Sequence, residues 1–110
     1  MWPGPRVDWF DDDAWTQLTT QTYTVLPDSN RVGLRLDGVP LGRRRTDELA
    51  SEGMVEGAVQ VPPDGLPIVM LADHPVTGGY PVIAVVDPAD LTHVAQAGPG
   101  MSLRFHTARR

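Results

Sequence analysis

Apolar and polar residues along this chain follow two rhythms. After Thr20 they alternate: Thr22-Tyr23-Thr24-Val25 and Val32-Gly33-Leu34-Arg35-Leu36 put apolar side chains at every second position, as a strand with one buried face does. The turn formers Pro27-Asp28-Ser29-Asn30 lie between the two runs and predict a hairpin. Further strands are predicted at Gly57–Val61, Pro67–Ala72, Pro81–Asp87 and Met101–Thr107, with breaks at Pro62–Gly65, Gly78–Gly79 and Gly98–Gly100. The second rhythm is helical. Phe10, Trp15 and Leu18 fall on one face of a short helix that starts at Asp11-Asp12-Asp13, where carboxylates can receive free backbone N–H groups. Asp87-Pro88 caps a second short helix with Leu91 and Val94 turned inward. Trp2-Pro3-Gly4-Pro5 reads as the end of a strand turning into the first helix. The chain is thus expected to be mostly β with two small helices, its strands spaced as in a barrel or sandwich. Its 110 residues show no repeat and no internal linker, and they predict a single domain over residues 1–110.

Composition narrows the function classes. A share of 41% hydrophobic and 21% charged residues belongs to a globular protein, and no apolar run reaches membrane-spanning length. The Met1 end lacks the basic and apolar regions of a secretory signal, so the expected compartment is cytoplasmic. Net charge is −5, which disfavours nucleic-acid binding. There is no cysteine, hence no disulfide, thiolate metal site or cysteine nucleophile. All positive side chains are arginine. No lysine is present to form a Schiff base, to serve a phosphate-binding loop or to carry covalently attached biotin.

Polar residues that can carry chemistry gather in four segments: Ser29-Asn30-Arg31, Ser51-Glu52-Gly53, Gln60 through Gly65, and Asp73 through Tyr80. Each lies at a strand end or turn, where scaffolds hold binding groups. Each also has a plain turn-forming explanation, and spacing alone does not choose between the two. His74, His93 and His106 have no metal-ligand spacing, and no metal is expected. Gly78-Gly79 is weak evidence for a small anion nest flanked by Thr77 and Tyr80. Arg43-Arg44-Arg45 reads as a solvated turn or a partner contact.

The stretches LPDSNRVGLRLDG, ELASEGMVEGAVQVPPDGLPIVMLADHPVTGGYPVIAVV and PGMSLRF resemble the allophanate hydrolase subunit 2 family, which includes KipA-type proteins. QVPPDG followed at that distance by LAD and TGGYP is the most specific block. Leu66 stands where the family often has Gln, and Pro75-Val76 replaces a more usual Gln-Thr. The resemblance implies part of a cyclophilin-like β-barrel, corresponding to the C-terminal portion of a longer domain and expected to be inactive alone. It further implies the carboxyltransferase chemistry of urea carboxylase or the ATP-dependent ring opening of 5-oxoproline, with a slight lean to the latter. ATP would be used by the complex, biotin would come on another chain, and a KipI-type subunit would be the partner. The substrate would be a small amide, urea or lactam. Carried over by position, the site residues are Arg31, Glu52, Gln60 and Asp73 for catalysis, with Ser29, Pro62, Thr77, Gly78, Gly79 and Tyr80 for substrate binding. Arg31 would hold a carboxylate or carboxybiotin oxygen, and Gln60 and Asp73 would orient the amide. The competing expectation is a non-catalytic module that only docks the KipI-type subunit.

Overall fold

The computed structural model describes residues 1–107. Nine short strands form in chain order: β1 (Trp2–Pro3), β2 (Tyr23–Val25), β3 (Gly33–Asp37), β4 (Glu52–Gly53), β5 (Ala58–Gln60), β6 (Ile68–Met70), β7 (Thr77–Gly78), β8 (Val82–Val85) and β9 (Ser102–Leu103). Two helices, α1 (Ala14–Thr20) and α2 (Leu91–Ala95), complete the described residues, together with single 3₁₀ turns at Val7–Trp9 and Pro88–Asp90. Seven strands make one antiparallel sheet in the order β1-β8-β5-β6-β3-β2-β9, and β4 pairs with β7 in a separate ribbon. The sheet curls into a half-barrel. The Met1 ammonium donates to the His106 carbonyl at 2.9 Å, so the segments flanking the two edge strands meet.

Alternation explains why the central strands are buried on both faces. Leu34, Leu36, Val59, Val61, Val69, Leu71 and Ile83 point into the main core with Phe10, Leu18, Tyr23 and Phe105. Their neighbours Ala58, Ile68, Met70 and Val82 point the other way and form a smaller cluster with Met54. Two apolar faces require two covers. The helices cover the first, and the β4–β7 ribbon covers part of the second. Pairing of β5 with β8 shifts register after Val59, so Ile83 is an extra residue opposite the Val59–Gln60 step. Such a bulge bends the strand and increases its local twist.

The hairpin between β5 and β6 follows its sequence signal. Gly65 adopts φ +79, its N–H donates to Pro62 O at 2.9 Å, and Asp64 Oδ1 accepts from Leu66 N at 2.9 Å. Asp87 caps the second helical segment by accepting from Ala89 N at 2.9 Å. The acidic start of α1 behaves otherwise. Asp13 occupies the N-cap position, but its carboxylate bonds no helix N–H; the Ala14 N–H is received by the backbone carbonyl of Asp11 at 2.9 Å, and Asp12 is drawn away to Arg44. The strand expected over Met101–Thr107 is shorter, because β2 offers only Tyr23 and Thr24 as partners to Leu103 and Ser102. Beyond them the chain turns so that Phe105 packs edge-on against Tyr23 with ring centroids 5.7 Å apart.

Tyr23 is fully buried and its hydroxyl has no hydrogen-bond partner among the described residues. Nearby Gln21 spends its amide on the backbone of Val39. Burial therefore pushes the phenol well above the usual tyrosine range, with Gln21 opposing only weakly. A raised folded-state value means that the neutral phenol's contribution is complete below about pH 10 and is lost as pH climbs beyond it. Tyr23→Phe should remove that alkaline loss and raise stability by about 1 kcal/mol, since an unpaired buried hydroxyl disappears. Urea denaturation at pH 7 and pH 11 checks both; a variant less stable than the parent at pH 7 would show that the hydroxyl is bonded.

Candidate functional site

Ser29, Asn30 and Arg31 form the turn between β2 and β3, and much of their polarity is spent there. Ser29 Oγ accepts from Arg35 N at 2.8 Å, while Asn30 Oδ1 accepts from Val32 N at 2.8 Å and Gly33 N at 3.3 Å. Arg31 Nε lies 3.1 Å from Asp73 Oδ2, and Asp73 N donates to Arg31 O at 3.1 Å. This exposed pair latches the 71–75 loop onto the turn, and as an ion pair it contributes at most about 1 kcal/mol. Glu52 is engaged by the Arg6 guanidinium, whose Nε donates at 2.7 Å. Pro62 serves through its carbonyl in the β5–β6 turn.

Gln60 stands apart from these. It is the buried polar residue of the sheet, 8% exposed, and its side-chain amide makes no hydrogen bond among the described residues. It lines a groove of about 270 Å³ on the smaller-core face, with Asn30, Arg35 and Tyr80 as the other polar groups and Ile68 and Met70 beneath. Two glycines keep this groove open. A Cβ on Gly78 would lie 2.8 Å from Gln60 Nε2, and a Cβ on Gly33 would lie 2.8 Å from the Ile68 side chain. A backbone at Gly78 thus passes against the Gln60 amide at a distance no larger residue permits. Neither Gly78 nor Gly79 has positive φ, so the left-handed step of an anion nest is missing there.

Of the residues expected from sequence, Gln60 and Tyr80 share the groove, and Thr77 and Gly78 form strand β7 beside it. Ser29 and Arg31 line a different hollow, of about 400 Å³, with Leu34, Leu71 and Ala95 on the main-core side. That hollow is larger but mostly apolar, and its Ser29 and Asn30 oxygens are already used in the turn. Arg31 and Gln60 therefore do not converge in one cavity. Asn30 lines both hollows; its Oδ1 is occupied, and its NH₂ donates to no acceptor among the described residues. Asn30 and Arg35 were absent from the sequence-derived site, although Arg35 occupies a polar position of the β3 alternation and so faces the Gln60 side. Among the described residues, no three His, Asp or Glu side chains gather closely enough to hold a metal ion. No helix among them is long and apolar enough to cross a membrane.

The sequence profile described as "Carboxyltransferase domain, subdomain A and B" matches residues 1–107. The chain belongs to this carboxyltransferase family. It is 41% identical over 103 residues to a 5-oxoprolinase subunit of Escherichia coli K12, covering 94% of this chain and 33% of that protein. It is 30% identical over 114 residues to the urea amidolyase of Lachancea kluyveri, covering 94% of this chain and 6% of that one. The crystal structure of Kluyveromyces lactis urea carboxylase superposes with a TM-score of 0.90 at 28% identity, over 98% of this chain and 10% of that one. The partial barrel is thus a carboxyltransferase-domain architecture. The chain spans about a third of the length of the 5-oxoprolinase subunit it matches.

Proposed function

We propose that this carboxyltransferase-family chain acts on a small amide, lactam or urea as part of a multi-component, ATP-dependent 5-oxoprolinase, with Gln60 reading the amide. The observation that carries this reading is Gln60, a residue only 8% exposed whose amide borders the groove with no hydrogen-bond partner among the described residues. A carboxamide presents one N–H and one C=O side by side, and the edge of a lactam or urea presents the complementary C=O and N–H. Two hydrogen bonds then form at once, against a floor of Ile68 and Met70 that keeps part of the surrounding water away. On this reading residues 1–110 are one domain-sized portion of a longer catalytic unit. ATP would be handled by another component, and any biotin would arrive on another chain, because no lysine here can carry it. Family relationship to both 5-oxoprolinase and urea amidolyase supports the carboxyltransferase type, and the higher identity to the former favours the lactam.

A second reading, a module that docks a KipI-type subunit, draws on the groove's rim. Val32, Val55, Val76 and Tyr80 are all exposed, Val76 at 82%. Val32 and Tyr80 line the groove, and Met54 N, next to Val55, donates to Val76 O at 2.9 Å. Both readings expect a partner, and only the first expects turnover. The test is co-purification with a KipI-type subunit and an assay of 5-oxoproline-dependent ATP hydrolysis. Gln60→Ala should lower that activity about tenfold or more, the equivalent of losing one to two amide hydrogen bonds. A complex that forms but never turns over supports docking alone, and undiminished activity in Gln60→Ala removes Gln60 from the site.

A further inference from the structure

We propose that the hollow beneath the 43–49 loop is an oxyanion site, with Arg43 as its binding group and a small carboxylate as its ligand. Arg6, Arg31, Arg35, Arg44 and Arg45 face Glu52, Asp73, Asp28, Asp12 and Asp47 respectively. Among the described residues two arginines have no carboxylate partner. Arg104 is exposed and needs none. Arg43 is half-buried: one Nη donates to Val61 O at 3.1 Å, and Nε is buried without any acceptor. A guanidinium partly withdrawn from water is costly to leave without an ion-pair partner, and an anion that reaches its remaining N–H groups from the hollow recovers that cost.

Space for the anion is present. Arg43 lines a hollow of about 200 Å³ with Thr46, Gly79 and Tyr80, which add a hydroxyl, a backbone and a phenol. Two carboxylates also border it. Asp47 is already held by Arg45, which keeps its carboxyl below the usual range, while Glu48 is exposed and weakens anion binding from the rim. Tyr80 lines both this hollow and the Gln60 groove, so the two are neighbours across one ring. A lactam bearing a carboxylate would then engage both; that extension rests on the Gln60 reading, whereas the anion site does not.

The test is a ¹H–¹⁵N titration of the 110-residue chain with sodium acetate, against sodium chloride at equal ionic strength. Saturable acetate shifts are expected at the Arg43 Nε–H, Thr46, Gly79 and Tyr80. Binding should be about tenfold weaker or worse in Arg43→Gln, unchanged in Arg104→Gln and several-fold tighter in Glu48→Gln. An equal response to chloride, or an unaltered one in Arg43→Gln, overturns the site. If Arg43→Gln does not fold, the map on the parent chain decides: shifts confined to those four residues uphold the proposal, and shifts that are scattered or centred on Arg104 refute it. A parallel titration with 2-pyrrolidinone-5-carboxylate should show tighter binding than acetate, and Gln60→Ala should cancel the gain. Absence of any gain counts against Gln60 as the amide reader while the acetate response still upholds Arg43.

Discussion

Gly78→Val is expected to silence the assembled enzyme by about a hundredfold or more while leaving the chain folded. The new side chain would begin 2.8 Å from Gln60 Nε2 and also inside the space of the Met54 side chain. Gln60 must then rotate or retreat, and displacing a substrate-orienting group by about 1 Å costs turnover on the hundredfold scale. Stability should fall far less. Gly78 lies on the two-stranded β4–β7 ribbon, so the overpacking strain of about 1–3 kcal/mol falls on Met54 and Gln60 beside the smaller core and leaves the main core intact. The measurement is ATP hydrolysis dependent on 5-oxoproline, taken together with urea denaturation of the variant. Retained activity would mean that the groove is not where substrate sits. Unfolding would instead show that the ribbon is integral to the core.

Leu36→Ala is expected to produce the largest loss of stability, about 2–5 kcal/mol. Leu36 is fully buried on β3, opposite Val25 of β2, and its N–H donates to Pro67 O at 3.2 Å. Neighbours fixed on both sides by strand pairing cannot collapse into the void, which places the cost toward the upper end. Against a total of about 5–15 kcal/mol for a domain, such a loss brings the chain near its unfolding threshold. Urea denaturation with an unchanged m-value would confirm it. A loss below about 1 kcal/mol would mean that the core at β3 is loosely packed.

Much of this fold was legible because its determinants are local. Period-two runs marked β2 and β3, apolar segments between Pro/Gly breaks marked β5, β6 and β8, and Asp64-Gly65 marked the β5–β6 turn through the φ that Gly65 alone adopts easily. What escaped was set by tertiary partners. Asp12 left the helix start for Arg44, and Arg43, Arg44 and Arg45 diverged to the Val61 carbonyl, to Asp12 and to the Trp9 ring with Asp47. The segment is exposed from Arg44 to Glu48, as a solvated turn would be, and its guanidinium groups are also held by the body of the same chain. The site was legible in part for the same reason. Motif resemblance singled out Gln60 and Tyr80, which share a groove, but no one-dimensional spacing shows that Arg31 lies on the other side of the sheet. That Arg43 has no carboxylate partner is likewise invisible until the ion pairs of the described residues are mapped.

Strand order also has a kinetic consequence. Trp2 pairs with Val85 and Tyr23 with Leu103, so both edge pairings join segments far apart in the sequence. Pairings this distant in sequence close slowly, on a scale of about milliseconds to seconds rather than microseconds. At about 5–20 residues per second of synthesis, the nascent chain also spends several seconds with β1 made and β8 not yet emerged. During that interval the apolar residues of β3 and β5 that share the main core with Ile83 stay uncovered. A slow ribosome or a missing chaperone would therefore be felt first as aggregation of unfinished chains, before any loss of finished protein.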